Sequence, residues 1–253
     1  MVNFIVIVPA RLGSTRLPRK PLLDIGGVPM VVRVARQARQ SGASRVVVAG
    51  DDPQIVETCT QHDVECILTS TSHATGTDRL AEAAAQLSLS PDAIVVKMQG
   101  DEPLLPPTVA RNVALLLDAR TDCEIATAAH PIGSAMDFFS PDVVKVVIDQ
   151  HDCAITFSRA PMPWSRDAFA ASRAALPLGL PAWHHVGLYA YRAGFLLRFT
   201  GLAVPPIESH EKLEQLRAIA HRINIVVLKL DHALPPGVDS PDDLQRVRAM
   251  IRD

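Results

Sequence analysis

Through its first 120 residues the chain alternates short β-branched runs with amphipathic stretches, a rhythm that admits few folds. Phe4–Val8 precedes a helical pattern near Pro29–Gln40, and Arg45–Ala49 precedes another near Pro53–His62. Glu65–Leu68 is followed by a helix around Asp78–Leu87, and Ala93–Met98 by one that opens at Pro107 and ends near Asp118. Strands joined by helices pair in parallel, because only a crossover of that length returns the chain to the same edge. Gly42 fits a helix C-cap, and Pro29 and Pro107 fit first-turn positions, where a missing N–H costs nothing. The first half therefore reads as a layered α/β sheet.

Beyond residue 120 the rhythm changes. Apolar runs at Glu124–Ala129, Val143–Ile148, Ala154–Ser158 and Val186–Tyr191 lie close together, which predicts antiparallel pairing. Segment 160–183 is rich in proline, carries Trp164 and Trp183, and reads as a long surface excursion or dimer arm. A helix is expected from about Ser209 to His221, then a strand Ile223–Leu230 and a last helix from about Pro241 to Ile251. With 253 residues, 48% of them hydrophobic, the chain can bury one large core, so one globular unit is the expectation.

Charge and composition exclude several functions. Lys+Arg 25 against Asp+Glu 27 leaves a net charge of -2, which argues against nucleic acid as a partner and for a small molecule. No apolar run approaches the ~20 residues needed to insert in a membrane. Cys59, Cys66, Cys123 and Cys153 lack C-x-x-C spacing and the sequence begins without an apolar secretory segment, so a soluble, cytoplasmic protein with reduced thiols is expected. Neither G-x-S-x-G nor H-E-x-x-H occurs, which sets aside serine-hydrolase and zinc-protease chemistry.

The loop after the first strand, Val8-Pro-Ala-Arg-Leu-Gly-Ser-Thr-Arg-Leu-Pro-Arg-Lys-Pro-Leu22, is suited to grip a triphosphate. Gly13 lets the backbone turn its N–H groups outward, Ser14 and Thr15 offer hydroxyls, and Arg11, Arg16 and Lys20 supply positive charge. It matches neither G-x-x-x-x-G-K-[ST] nor G-x-G-x-x-G, so its grip differs from the P-loop and the dinucleotide fold. Gln99-Gly-Asp-Glu-Pro103 places Asp101 just past a central strand, the edge at which ligands bind in open α/β sheets. Asp101 can hold a divalent cation against phosphate oxygens; it and Pro103 equally fit a strand end that caps the next helix.

Other candidates carry the same two readings. In Gly237-Val-Asp-Ser-Pro241, Ser240 or Asp239 fits an ordinary N-cap with Pro241 in the first turn, and Asp239 can at the same time face a site. Thr75-Gly-Thr-Asp-Arg79 enters a helix whose N-terminus attracts anions, or Thr77 is a plain cap and Arg79 is solvated. Arg159 and Arg166 can clasp a carboxylate bidentately, or lie solvated at the surface. His185, Gly187, Tyr189 and Tyr191 share one strand face, which can line a sugar pocket or hold a structural histidine. Glu214 and Gln215 can accept from hydroxyls or lie on a solvated helix face.

Taken in order, Pro9–Leu22, Gly76–Leu80, Gln99–Pro103, Phe157–Arg159, Gly187–Arg192, Leu213–Arg217 and Gly237–Pro241 closely resemble the 3-deoxy-manno-octulosonate cytidylyltransferase (CMP-Kdo synthetase) family. The resemblance spans nearly the whole chain. It implies a three-layer, Rossmann-like α/β fold of the nucleotide-diphospho-sugar-transferase type, with a mixed sheet and a smaller antiparallel dimerisation subregion. It implies one domain over residues 1–253, its nucleotide-binding half about 1–120 and its sugar-binding and dimerisation half about 121–253.

The implied reaction makes CMP-Kdo and pyrophosphate from CTP and Kdo, activating Kdo for lipopolysaccharide biosynthesis, with Mg2+ as cofactor and a homodimer as the working form. By matching position, Ala10, Arg11, Ser14, Lys20, Thr75 and Arg79 fall to the nucleotide. Gln99, Arg159, Arg166, His185, Tyr189, Glu214 and Gln215 fall to the sugar. Asp101 and Asp239 fall to the metal, and with Lys20 form the catalytic set.

Three positions depart from the family pattern: Arg19 stands where glycine is common, Thr75 where serine is, and Asp78 where glutamate is. A CMP-sialate synthetase is the nearest rival, but Lys20-Pro-Leu22 differs from the lysine-asparagine ending of that loop type. A regulator that binds nucleotide sugars without turnover is the other rival, and it would not need Lys20, Asp101 and Asp239 together.

Overall fold

A computed structural model describes residues 2–13, 17–73 and 75–251 of the chain. It opens with β1 (Phe4–Ala10), a short 3-10 turn at Lys20–Leu22, α1 (Met30–Arg39), β2 (Arg45–Gly50), α2 (Pro53–Gln61), β3 (Cys66–Leu68), α3 (Gly76–Gln86), β4 (Ile94–Lys97) and α4 (Pro107–Ala119). The second half runs β5 (Ile125–Pro131), α5 (Ala135–Phe139), β6 (Lys145–Ile148), β7 (Ala154–Ser158), α6 (Arg166–Ala171), β8 (Trp183–Arg192), α7 (Ala193–Phe199), α8 (Pro206–Glu211), α9 (Gln215–Ala220), β9 (Ile225–Lys229) and α10 (Pro241–Met250). No helix among the described residues is long and apolar enough to cross a membrane.

The chain folds into two compact units, one of Met1–Ala119, Leu188–Gly201 and Leu234–Asp253, the other of Arg120–Gly187 and Leu202–Ala233. In the first, β1 lies parallel between β2 and β4, β3 extends the sheet beyond β2, and the end of β8 runs antiparallel to β4 with Lys97 opposite Tyr189. The mostly parallel mixed sheet agrees with the expected α/β class. Its strands are nearly continuous apolar runs, and Val6, Ile7, Val47, Val95 and Val96 are fully buried, as a sheet covered on both faces requires.

Local chemistry sets the helix ends of this unit. Asp52 accepts the Gln54 N–H to start α2. Thr75 and Asp78 form a reciprocal capping box on α3, and Ser240 and Asp243 form another on α10. Past α1, Gly42 adopts φ +82°, which only glycine enters without cost. On its buried face α1 turns Met30, Val31, Val34, Ala35 and Ala38 inward.

The second unit corrects three expectations. β6 pairs antiparallel with β7 and with the start of β8, as predicted, but β5 and β9 run parallel from Ile125↔Ile225 to Ala129↔Lys229. The first five residues of β5, Ile125–Ala129, are buried without alternation, the pattern of a strand covered on both faces. Segment 160–183 is anchored as well as exposed: α6 buries Phe169, whose ring stacks on Phe138 at 5.5 Å beside Ile132 and Ala182.

The expected single helix 209–221 is two short ones, broken where Lys212 turns left-handed at φ 53° and donates its N–H to the Glu208 carbonyl. The reason lies in a buried ion pair. Arg217 donates to both carboxylate oxygens of Glu208, at 2.6 and 2.9 Å. Nine residues apart on one helix these side chains would point about 180° from each other, so the pair requires the break.

Candidate active site

In the first unit the loop after β1, the end of β4 and the N-terminal turns of α3 and α10 enclose a cavity of about 390 Å³. It lies at the carboxyl edge of the parallel strands, where helix N-termini and loop amides converge. Gly100 makes the close approach of β4 to β1 possible, since a Cβ there would come within 2.8 Å of the Pro9 carbonyl oxygen. The Val238 N–H donates to the Asp101 carbonyl at 2.8 Å, which ties the 237–241 turn to the end of β4 and brings two distant carboxylates together.

Lys20 stands between those carboxylates. Its Nζ donates to Asp101 Oδ2 at 2.6 Å and to Asp239 Oδ1 at 3.1 Å. Glu102 lies close by; burial pushes its carboxyl up to about 7, the negative charges of Asp101 and Asp239 push the same way, and Lys20 opposes them. Two carboxylates sharing one cation, beside a third acid held partly protonated, make a site with a standing demand for positive charge. Among the described residues no cluster of three or more His, Cys, Asp or Glu side chains could by itself hold a metal ion. Two carboxylates fit Mg2+ nonetheless, because that ion takes only one or two from protein and fills its octahedron with phosphate oxygens and water.

The cavity wall gathers Ala10, Arg11, Lys20, Thr75, Arg79, Gln99, Asp101 and Asp239, eight of the residues picked out in the sequence. Ser14, with Thr15 and Arg16, lies outside the described residues. Arg79 is buried and held by three partners: it donates to Thr69 Oγ1 at 2.5 Å, to the Ser70 carbonyl at 3.2 Å and to Asp51 Oδ2 at 3.4 Å. Asp51 also accepts the Leu12 N–H at 3.0 Å, so one carboxylate braces both the phosphate loop and the arginine. Sequence reading missed Asp51, though its place directly after Gly50 at the end of β2 was the signal. It also missed Lys97 and His73, which line the cavity.

Arg19 adopts φ 56° and ψ 30°, a left-handed conformation that costs a side chain roughly 1 kcal/mol or more and that glycine would enter freely. Its guanidinium donates to Gln54 Oε1 at 2.7 Å.

The other sugar-directed candidates lie outside this wall. Tyr189 is buried on β8, stacked on Tyr191 at 5.6 Å. Arg159, Arg166, His185, Glu214 and Gln215 belong to the second unit. There Arg159 is pinned, donating from Nε to the Glu211 carbonyl at 2.8 Å and from Nη1 to the Pro141 carbonyl at 2.9 Å. Arg166 is exposed at the start of α6. Glu214 precedes α9, and the amide nitrogen of buried Gln215 has no hydrogen-bond partner among the described residues.

His185 is buried, shares a hydrogen bond of 3.0 Å with Thr127 Oγ1, and meets the Phe157 ring edge-on at 4.9 Å. Burial, with some help from His184, lowers its pKa from 6.5 to about 3, and burial lowers that of His184 to about 4. Folding thus keeps both imidazoles neutral while the unfolded chain takes up protons below about 6.5, so stability is complete above that pH and falls as the solution is acidified. Each histidine should contribute a slope of about 1 kcal/mol per pH unit between pH 6.5 and 5. Denaturant titrations at pH 7 and 5 measure it, and His185→Gln should flatten the difference by about one proton's worth.

Residues 5–225 match the cytidylyltransferase family. A solved CMP:2-keto-3-deoxy-manno-octonic acid synthetase, complexed with CTP, is 37% identical, superposes with a TM-score of 0.89, and is matched over 99% of this chain and 98% of its own. A cytidylyltransferase from Leptospira borgpetersenii serovar Hardjo-bovis (strain JB197) is 15% identical, with a TM-score of 0.62 over 100% of this chain and 87% of its own; it shares the fold.

Proposed function

The chain belongs to the cytidylyltransferase family, and from the chemistry of its cavity we propose that it transfers CMP from CTP to 3-deoxy-manno-octulosonate, Kdo, releasing pyrophosphate. The Lys20 ammonium held between Asp101 and Asp239 carries this reading, since it joins a phosphate-neutralising cation to a metal-binding carboxylate pair at one point. In the proposed reaction the anomeric C2 hydroxyl of Kdo attacks the α-phosphorus, a new P–O bond forms as the hydroxyl proton passes to solvent, and the bond to the pyrophosphate oxygen breaks. Such a displacement asks the protein chiefly for alignment and charge neutralisation.

Arg11 and Lys20 offset the charge of the departing pyrophosphate, and Arg79 and Asp51 hold the loop in shape. Asp101 and Asp239 would hold Mg2+, which when bound supplies Lewis-acid stabilisation of the phosphoryl oxygens. Gln99, on the cavity wall, offers an amide to the sugar's hydroxyls. The product places the chain in the supply of activated Kdo for lipopolysaccharide.

Pyrophosphate release tests the assignment. With CTP and Mg2+ the protein should turn over Kdo and leave sialic acid unused; turnover of sialic acid alone would overturn the sugar, and CTP binding without any turnover would overturn the enzyme.

The working form proposed is a homodimer. Met136, Trp164 and Leu178 are exposed apolar side chains of the second unit, 80%, 47% and 106% accessible, and Trp164 packs on Phe169 at 5.0 Å, so this aromatic cluster continues to the surface. Light scattering should give twice the 27.3 kDa chain mass, and Trp164→Glu should shift it to the monomer.

A further inference from the structure

Cys59 and Cys66 are separated by six residues in the sequence and touch in the fold. Cys59 sits with Ile55, one turn earlier, on the buried face of α2, and Cys66 opens β3, the strand at the sheet edge beyond β2. The Val64 N–H donates to the Cys59 carbonyl at 2.9 Å and Asp63 turns left-handed at φ 56°, so the chain doubles back and lays the strand against the helix. Gly50, at the end of β2, leaves room for the pair: a Cβ there would lie 2.9 Å from Ile55 Cγ2 and 3.5 Å from the Cys66 sulfur. Gly50 is itself fixed, its carbonyl accepting from the Thr69 N–H at 2.8 Å and the Thr69 hydroxyl at 2.9 Å.

The two thiols are not equivalent. Cys59 is fully buried, whereas Cys66 is partly exposed. The Cys59 thiol donates to the Cys66 sulfur and the Gly50 N–H donates to it as well, which together hold the Cys66 thiol below its ordinary range although burial opposes them. The same hydrogen bond, burial and the charge on Cys66 all push the Cys59 thiol up. When the pair gives up one proton it therefore leaves the outer sulfur, and the inner one keeps its own. An accessible thiolate with a second thiol in contact is the arrangement that traps an oxidised sulfur as a disulfide before it goes on to sulfinic acid.

We propose that Cys59 and Cys66 form a site of reversible oxidation by hydroperoxides, with Cys66 as the attacking thiol and Cys59 as the resolving one. The Cys66 thiolate attacks a peroxide oxygen, the O–O bond breaks, and the sulfur becomes a sulfenic acid. The departing hydroxide takes up the proton that Cys66 had released and leaves as water. The Cys59 sulfur then attacks Cys66, the S–S bond forms as the S–O bond breaks, and the Cys59 proton leaves with the hydroxide as a second water. Two thiols lose two electrons, and one hydrogen peroxide is reduced to two waters. A dithiol reductant returns the pair by exchange. Neither cysteine lines the cavity described above, so the site stands independently of the proposed cytidylyl transfer.

Tryptic peptide 46–79 contains Cys59 and Cys66 and no other cysteine, so the bridge can be read within one peptide. The reduced protein is exposed to hydrogen peroxide at pH 7, alkylated with iodoacetamide and digested. By mass spectrometry the peptide should lose two hydrogens and take up no alkyl group, and dithiothreitol before alkylation should restore two. Oxidation should run about tenfold or more faster than that of glutathione under the same conditions. In Cys59→Ser, Cys66 should stop at the sulfenic acid and be captured by dimedone; in Cys66→Ser, Cys59 should stay reduced. Two alkylated cysteines in the wild-type peptide after glutathione is consumed, or Cys66 sulfinic acid without a bridge, would overturn the proposal. So would oxidation of Cys59 at the wild-type rate in Cys66→Ser, or a bridge that forms only once the protein is unfolded in guanidinium. Should Cys59→Ser not fold, the wild-type and Cys66→Ser digests decide alone.

Discussion

Replacing Lys20 by methionine is expected to lower kcat/KM on the order of a thousandfold while leaving the fold intact. The ammonium contacts both cavity aspartates, and in the proposed reaction it stands where the charge of the leaving pyrophosphate would accumulate. Methionine keeps the length and the apolar stem, so the loss isolates the charge. Because Lys20 lies in a short 3-10 turn whose core contact is Pro21, far-UV circular dichroism and melting temperature should barely move. Lys20→Arg tests geometry separately: it restores charge but spreads it over a planar fork, so only partial rescue is expected. Activity within about threefold of wild type in Lys20→Met would remove the lysine from the mechanism.

Asp101→Asn and Asp239→Asn should each abolish magnesium-dependent turnover, again by about a thousandfold or more, with the protein still folded. The amides keep shape and hydrogen-bonding reach but remove the negative charge that a hard cation requires. Asp239 is the more exposed of the two, with 57% of its side chain accessible against 36% for Asp101. High Mg2+ is therefore expected to rescue Asp239→Asn better than Asp101→Asn, which titrations of rate against Mg2+ measure. Near-normal rates in both variants would sink the metal assignment.

The parallel half of the fold was legible because its signals are local. Each strand there is an apolar run, and three of the helices open on a side-chain cap: Asp52 on α2, Thr75 with Asp78 on α3, Ser240 with Asp243 on α10. The second unit was less so, because its organising interactions join residues far apart in sequence. Nothing within the run from Ser209 to His221 discloses that Glu208 must reach Arg217, or that Glu211 accepts from Ser158 and the Arg159 N–H. The parallel pairing of β5 with β9 joins segments about a hundred residues apart, which pattern reading cannot register.

The candidate site divides in the same way. Arg11, Lys20 and Asp101 follow strand ends and are visible as motif residues. Asp239 depended on its motif and proved to meet Asp101 across 138 residues of sequence through Lys20. Lys97 escaped notice because a single lysine ending an apolar strand looks like its solvent-exposed terminus, whereas the structure buries it. Arg19 was visible as an oddity and the left-handed backbone gives its physical meaning.

The central claim, displacement at the α-phosphorus of CTP by the Kdo hydroxyl, is tested most directly by phosphorus NMR of the protein with CTP, Kdo and Mg2+. The account predicts that the three CTP resonances decay together, replaced by one phosphodiester resonance of CMP-Kdo and inorganic pyrophosphate in equal amounts. Appearance of CDP with orthophosphate, or an unchanged CTP spectrum in the presence of active, folded protein, would contradict it.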